Sequence, residues 1–380
     1  MCFLKNTHHF SKIASMENAI DVNPIPYLTW SWLKINNDKV TYDFSINQND
    51  GEVTQLPEGV EITDGNSVKT QLPEPEFSIG KEAAELICGA SKGKVYTFSK
   101  TNEESKPLII RVNAEANSAT YNIIHAKEGT VCKVILVYNG GHSGVPEALE
   151  GPLAETLSGV VTKIYAEEGA EVQLAKVQLC DKSVNQIDDT AVVCGDNAKV
   201  SFVQIELGGS HIDAGFHVTL AGYQSKFVSD TAYICQGTQY LDMNQVVVHK
   251  GKKTKCDMQT HGTVKDESTK TYRGTIDMVK GCAGSTGNEM ETALLLSPAA
   301  VVKAAPIILC GEEDIAAEHG STVGKLSNEM LFYMNTRGID QKTAEELLTR
   351  AKVTAAAANI PDKAIRQEIE DYSTCALCKR

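Results

Sequence analysis

The sequence of 380 residues lacks several features that would assign it to common classes. No apolar run approaches the roughly 20 residues that a membrane-spanning helix needs, so we expect no membrane insertion. A basic excess is also missing: the formal net charge is −13. That charge argues against a nucleic-acid partner, because such a surface requires a basic face. The one basic stretch, residues 249–255, is short and is typical of a solvated turn.

A secretory signal is not evident either. Residues 1–15 have no sustained apolar core, and Met16 is an alternative start; an organelle-targeting leader is the other possibility. We therefore expect a cytoplasmic protein. The eleven cysteines are scattered and odd in number, which indicates free thiols or ligands and not a disulfide framework. Cys132, Cys180 and Cys235 end or interrupt apolar strands and are expected in the core.

The sequence contains no complete nucleotide-binding loop. Residues 320–325 resemble one, but three residues and not four separate the glycines, and Leu326 replaces the Ser or Thr that would bind magnesium. We therefore expect that the chain does not hydrolyse ATP by itself. We also expect that it is not an enzyme. Near the C-terminus, Cys375 and Cys378 form a single C-x-x-C pair, which is too little for a closed tetrahedral site. We expect an unstructured tail there, with metal relay or a redox pair as alternatives.

A weak repeat of about 27 to 28 residues runs through the middle of the chain. Residues 170–179 align with residues 198–207, and related segments begin at Ser225, Lys253 and Gly281. A fixed period of this size, with alternating strands and no helical periodicity, predicts a β-solenoid. The alternative is a β-sandwich with accidental spacing. Polar positions are expected to face outward, namely Glu171, Gln173, Lys176, Lys199 and Ser201.

The flanks differ from this β-helix core, and we divide the chain into residues 1–84, 85–324 and 325–380. The first part is a mixed or helical segment, and the last is a helical domain. Ser327 and Asp340 are expected to cap two helices, the second with Leu347, Leu348 and Ala351 inward; a third helix follows Pro361 with Ile365 and Ile369 one turn apart. Helices in this position are expected to cap the last coil and to offer a docking face.

The most informative segment is residues 306–320. An apolar strand leads to Cys310, and four carboxylates and His319 follow within ten residues. Thiolate and imidazole suit zinc or iron–sulfur chemistry, and a carboxylate such as that of Glu312 or Glu313 can complete a site that must later release its metal. The alternative is a solvated acidic turn beside a buried cysteine. His211, His217, His249 and His261 lie on or between the solenoid strands and are expected to be polar surface residues.

The sequence that follows His319 resembles the signature of the SufB/SufD family. Members of that family are scaffolds for iron–sulfur cluster assembly. The matching stretches are residues 319–326, 329–339 and 343–348, with upstream matches at 272–276 and 294–297. The resemblance covers about residues 85 to 355, and residues 24–32 resemble the family's helical entry segment more weakly. It implies a β-helix fold and a SufC-type ABC ATPase partner docked on the C-terminal helices.

The sequence departs from both named branches of that family. His319 matches the functional histidine of SufD, but the functional cysteine of SufB falls at Glu291, and the cysteine that often lies two residues before the histidine is Ala317. The chain thus more closely resembles the minimal single-subunit branch, which implies a homodimer.

The resemblance implies a scaffold that assembles a transient [4Fe–4S] cluster and passes it to recipient apo-proteins. Cys310 would be the strong ligand, with His319 and Glu312 or Glu313 as exchangeable ones. One chain supplies too few thiolates for four irons, so two copies would share the site. The alternatives are an adaptor that only recruits the ATPase and a β-helix enzyme acting on polysaccharide. The enzyme would use carboxylates such as Asp230, Asp242 and Asp257, but no aromatic sugar platform accompanies them.

Overall fold

The computed structural model describes residues 19–27, 31–41, 47–114, 116–140 and 156–378; Met16 and Trp30 fall outside these ranges. The strands are β1 Ala19–Val22, β2 Asp38–Thr41, β3 Asn47–Gln48, β4 Glu52–Gln55, β5 Val60–Asp64, β6 Lys94–Phe98, β7 Leu108–Asn113, β8 Ser118–Ala126, β9 Val131–Gly140, β10 Thr156–Ala166, β11 Glu171–Cys180, β12 Val184–Cys194, β13 Lys199–Glu206, β14 His211–Leu220, β15 Lys226–Cys235, β16 Tyr240–His249, β17 Lys255–Val264, β18 Thr269–Met278, β19 Ser285–Leu295, β20 Val301–Cys310 and β21 Ile315–Gly324. The helices are a 3₁₀ turn at Ser31–Leu33, α1 Lys81–Ala90, α2 Asn328–Thr336, α3 Gln341–Ala357 and α4 Lys363–Cys378.

Two parallel sheets face each other and form a β-solenoid, which confirms the predicted fold class. The even-numbered strands from β6 to β20 form the first sheet, and the odd-numbered strands from β7 to β21 form the second. One strand from each sheet makes a coil, and the next coil stacks on it in register. The antiparallel strands β5 and β4 close the two sheets at the N-terminal end.

The repeat in the sequence corresponds to this stacking. Glu171, Lys199, Lys226 and Lys255 lie side by side on β11, β13, β15 and β17. Side chains alternate between the two faces of a strand, so each in-register column faces either the interior or the outside. Most coils turn at a residue with positive φ, namely Gly129, Gly169, Asn197, Gln224, Lys253 and Gly284.

Lys176 was expected to face outward, and that prediction is wrong. It shares its side of β11 with the buried Leu174, so the alternation of the strand places it inside. Its ammonium donates a hydrogen bond of 2.5 Å to Asp188 on β12. The pairing explains the burial, because a buried charge persists only with a partner of opposite sign. Glu171, Gln173, Lys199 and Ser201 are at least partly exposed, as predicted.

Different segments cover the outer faces of the two sheets. The hairpin of β1 and β2 packs with α1 on the first sheet, where Ile20, Val40 and Ile87 join one apolar cluster. Helices α3 and α4 lie on the second sheet, against β11, β13, β15 and β17. The prediction that the C-terminal helices cap the last coil is therefore wrong for α3 and α4. Their buried face matches the flank of the sheet, where Val353, Ile365 and Ile369 contact strand residues.

The helix caps in the C-terminal region are as predicted. Ser327 Oγ accepts a hydrogen bond from the amide of Met330, and Asp340 accepts one from Thr343. The predicted inward face of α3 is wrong: Leu347 and Ala351 are exposed, and Leu348 is only partly buried. The core side of α3 consists instead of Ala344, Thr349, Val353, Ala356 and Ala357.

The C-terminal pair of cysteines lies on α4, which continues to Cys378, so the expectation of an unstructured tail is wrong. Packing of Ile365, Ile369 and Leu377 on the solenoid keeps this helix in place. The division at residue 84 falls within α1, and that at residue 324 coincides with the end of β21. None of the described helices combines the length and the apolar character that crossing a bilayer requires.

Candidate functional site

The last coil leaves one end of the solenoid uncovered in the described part of the chain. Strand β20 pairs only with β18, and β21 pairs only with β19, so both present an unpaired edge. The inward columns also end here, because no further coil covers them. We call this surface the end face; its inward-column side chains are Val302, Ala304, Pro306, Ile308, Cys310, Ala317, His319, Ser321 and Val323.

Cys310 is the last residue of β20 and belongs to an inward column. It stacks on Met278, which stacks on His249, and both of these are fully buried. Cys310 is exposed only because its column ends at this coil. Among the cysteines whose side chains the structure describes, it is the only exposed one, whereas Cys132, Cys180 and Cys235 are buried as predicted. An exposed thiol at the end of a stack is available to metal.

His319 occupies the middle of β21 and is also exposed. It lies in register with Glu289, and Ser321 lies in register with Glu291. The segment from Gly320 to Gly324 is strand and not loop, which agrees with the rejection of a nucleotide-binding loop. Cys310 and His319 therefore lie on the two strands of the same terminal coil.

Glu312 and Glu313 lie in the turn between these strands. The carboxylate of Glu312 accepts hydrogen bonds of 2.9 Å from the backbone amides of Gly281 and Glu313. The bond from Gly281 is the main reason that the pKa of Glu312 lies below its usual value. Glu313 is exposed and projects from the turn. Glu312 is thus ionised and already fixed by the backbone.

The four predicted ligands do not form a closed metal site within one chain. Across the described residues, the group of three or more ligand atoms within 4.8 Å of one another consists of Asp38, His211 and Asp213. The end face and its adjoining turn contain Cys310, Glu312, Glu313 and His319. The ligand atoms of these residues in one chain do not surround a common metal position. The assignment of these four residues as ligands stays a prediction.

Glu291, at which the resemblance puts the functional cysteine of SufB, has a structural role in this chain. Its carboxylate pairs with the ammonium of Lys270, and both side chains are fully buried. Ser321 Oγ donates a hydrogen bond of 2.7 Å to the other oxygen of Glu291. Both of its oxygens are thus engaged inside the solenoid, so Glu291 is not a free ligand.

Glu289 is a residue that reasoning from the sequence missed. It is fully buried directly beneath His319, and neither of its oxygens has a hydrogen-bond partner. Burial raises its pKa to about 8. A Cβ at Gly274 would lie 1.8 Å from Glu289 Oε1, so the glycine makes room for this carboxyl group. The Glu-Met-Glu sequence at 289–291 could have indicated two carboxyl groups on the same face of the strand, since alternate residues of a strand share a face.

The remaining histidines were expected at the surface, and this is wrong for two of them. His249 is fully buried, with Nδ1 2.7 Å from Thr254 Oγ1 and Nε2 3.2 Å from Cys256 Sγ. His217 is also buried. Burial lowers the pKa of each to about 4, so both are neutral at physiological pH. They are core residues, because their strands place them in columns that other parts of the chain cover.

Two further features lie outside the end face. Asp242, one of the carboxylates considered for a polysaccharide-acting enzyme, is fully buried and paired with Arg273, so it does not line an open cleft. A groove of about 800 Å³ on the second sheet reaches Ala317 and Glu318 but does not include Cys310 or His319.

Comparison of the sequence with known proteins identifies one family. The family model described as "SUF system FeS cluster assembly, SufBD core domain" matches residues 109–352. That interval contains most of the solenoid, including the end face, together with α2 and most of α3.

Individual relatives agree with this match. A chloroplastic iron–sulfur cluster assembly SufBD family protein of Arabidopsis thaliana is 26% identical over 240 residues, which cover 60% of this chain and 43% of the relative. The iron–sulfur cluster assembly protein SufD of Bacillus subtilis is 25% identical over 139 residues, or 37% of this chain and 32% of the relative. A SufBD family protein of Synechocystis is 23% identical over 225 residues, or 57% of this chain and 47% of the relative. The chain thus aligns with about half or less of the length of these relatives.

Proposed function

Since the chain belongs to the SufB/SufD family of iron–sulfur cluster assembly proteins, we propose that it is a scaffold on which a cluster is built and from which it is passed on. The observation that supports this proposal best is the exposed thiol of Cys310 at the open end of the solenoid. Thiolate is the usual protein ligand of iron–sulfur clusters. The cluster is the cargo of the scaffold, proposed to be [4Fe–4S] and transient, for recipient apo-proteins.

The proposed ligands differ in strength, as transfer requires. Cys310 would hold iron firmly, and His319 with Glu312 or Glu313 would bind more weakly. Glu312 would have to leave its hydrogen bonds to the Gly281 and Glu313 amides before it could bind, which makes it an exchangeable ligand. We propose that the chain itself performs no catalysis.

We further propose that two copies meet at the end face and share the cluster. The unpaired edges of β20 and β21 favour association, because an exposed sheet edge readily pairs with another strand. The face is also largely apolar: Ile308 and Ala317 pack on the core beneath, and Val323 is exposed. A two-fold axis through this surface would bring two Cys310 thiols and two His319 imidazoles to one cavity.

A SufC-type ATPase is the proposed partner, and α2 is its proposed docking site. This helix has no buried residue, and Phe332 and Tyr333 are 71% and 60% exposed. Met330 on α2 and Leu347 on α3 add to this apolar surface. Large aromatic side chains at the surface are typical anchors of protein interfaces. The location is proposed to be cytoplasmic, although two of the Arabidopsis relatives are named as chloroplastic.

The central test is anaerobic reconstitution with iron and sulfide. We expect the parent protein to become brown, with cluster absorption, and the variant Cys310→Ala to retain little iron or sulfide, because the strong ligand is gone. Cys88→Ala on α1 is the matched control, since it removes a half-buried thiol remote from the end face. Equal iron and sulfide in Cys310→Ala and the parent would contradict the assignment, and a colourless parent would favour the adaptor.

Docking of the ATPase on α2 is tested by introducing one charged side chain on this helix. We expect Phe332→Glu to weaken binding of the ATPase at least about tenfold, because it places a carboxylate in an apolar anchor. Calorimetry with the purified ATPase measures this effect. Trp32→Glu is the control, since Trp32 is 77% exposed but lies on the N-terminal segment. Undiminished binding by Phe332→Glu would contradict the docking site. Deletion of residues 325–380 is a poorer test, because it would also expose the sheet beneath α3 and α4.

A further inference from the structure

A second group of metal-ligating side chains lies far from the end face, between the N-terminal hairpin and the first sheet. Asp38 begins β2, and His211 and Asp213 belong to β14. His211 Nε2 lies 2.8 Å from Asp38 Oδ2 and 3.3 Å from Asp213 Oδ2. One ligand atom from each residue lies within 4.8 Å of the other two. The hairpin and the solenoid thus contribute jointly to this cluster.

The hydrogen bonds of the cluster are incomplete. Asp213 has no exposed surface, and neither of its carboxylate oxygens has a hydrogen-bond partner. The Nε2 proton of His211 can point at only one acceptor, and its partner is Asp38. Asp242 Oδ2 and Asn23 Oδ1, which belong to the same buried network, also lack donors. Buried carboxylate oxygens without donors are costly, so the two oxygens of Asp213 lack either a donor or a cation.

The formal charges of this group of side chains also indicate that a cation is missing. Three carboxylates, of Asp38, Asp213 and Asp242, meet one guanidinium, that of Arg273, and one imidazole. A divalent cation beside a neutral His211 would balance the three carboxylates together with Arg273.

We propose that Asp38, His211 and Asp213 bind a divalent first-row transition metal ion, with water at the remaining positions. One imidazole nitrogen and two carboxylate oxygens, without a thiolate, suit zinc, ferrous or cobaltous ions. Metal bonds of about 2.0–2.2 Å separate neighbouring ligand atoms by roughly 2.8–3.5 Å. The distances from His211 Nε2 to the two carboxylates lie in that range. Bound metal would tie the N-terminal hairpin to the solenoid.

Cobalt is the appropriate probe, because its spectrum distinguishes the ligands. We expect the full-length protein, freed of metal, to bind one equivalent of Co²⁺ with weak visible bands and without thiolate charge-transfer absorption in the near ultraviolet. Zn²⁺ should displace it. Asp213→Asn and His211→Gln should each weaken binding more than about 100-fold, since a lost ligand exceeds the usual effect of a lost second-shell contact.

Two controls separate this site from others. His261→Gln removes an imidazole that lies 3.5 Å from Asp230 on the second sheet, and Cys88→Ala removes a half-buried thiol on α1; both should bind Co²⁺ like the parent. Asp38→Asn provides a third ligand variant in case one of the β14 changes impairs folding, which circular dichroism would show. Absent binding, binding with thiolate bands only, or equal binding by parent and well-folded ligand variants would each overturn the proposal. Because no residue is shared with the end face, failure here leaves the scaffold proposal unaffected.

Discussion

A dimer with Cys310→Ala in only one subunit is expected to lose its cluster or to bind it much more weakly than the parent dimer. The reason is that the described residues of one chain do not bring Cys310, His319, Glu312 and Glu313 into a closed group. A four-iron cluster commonly takes four protein ligands, so one subunit alone is under-supplied. Two differently tagged copies, co-expressed and purified over both tags, give the mixed dimer. Iron, sulfide and the absorption spectrum are then measured after anaerobic reconstitution.

The matched control is a second mixed dimer that lacks a thiol remote from the end face. A mixed dimer with Cys88→Ala in one subunit should hold as much cluster as the parent, because that thiol lies on α1. If the Cys310→Ala mixed dimer retains half of the parent iron with an unaltered spectrum, each subunit holds its own site and shared ligation is wrong.

Glu291→Ala is expected to destabilise the fold by about 3–5 kcal/mol, the usual effect of breaking a buried ion pair. The change leaves the ammonium of Lys270 inside the solenoid, fully buried, with the rings of Tyr233 and Tyr272 at 5.3 and 4.6 Å and without its carboxylate partner. The free energy of unfolding in urea measures the effect. Burial already lowers the pKa of Lys270. The unfolded state therefore binds more protons, and the loss should shrink as the pH rises.

The double variant Lys270→Met with Glu291→Leu distinguishes a structural pair from a ligand. Replacing both partners of a buried ion pair with apolar residues is often neutral or stabilising. We therefore expect the double variant to be about as stable as the parent and to retain its cluster. A single variant Glu291→Ala within about 1 kcal/mol of the parent would contradict the structural role, and a stable double variant without cluster would make Glu291 a ligand.

The fold was predictable from the sequence where neighbouring residues determine it. The repeat predicted the solenoid because each coil places the same alternation of apolar and polar residues in register. Ser327 and Asp340 predicted helix starts because an N-cap side chain accepts a hydrogen bond from a backbone amide only three residues further along the chain. The failures concern contacts between distant segments. Lys176 was expected outside, since its partner Asp188 on the facing sheet is not evident from the strand itself. Leu347 was expected inside, although the solenoid packs on another face of α3.

The candidate site was predictable only in part for the same reason. The sequence located Cys310 and His319, and the structure places them on one terminal coil. It did not indicate that Glu291 is paired or that Glu289 is unpaired, because both depend on the opposite sheet. The cluster of Asp38 with His211 joins residues 173 positions apart, beyond the reach of any local pattern.

The two ends of the solenoid are unequal, and this limits how copies can assemble. The C-terminal end presents parallel edges, whereas the N-terminal end finishes in the antiparallel strands β4 and β5. A copy that tried to add its last coil to the first coil of another would meet strands that run the wrong way for a continuing parallel stack. Head-to-tail growth as one continuous parallel stack is thereby disfavoured, and the proposed association through the C-terminal ends would stop at two copies. Strands β4 and β5 would in this way act against polymerisation of a protein whose described part has an open edge at the other end of the solenoid.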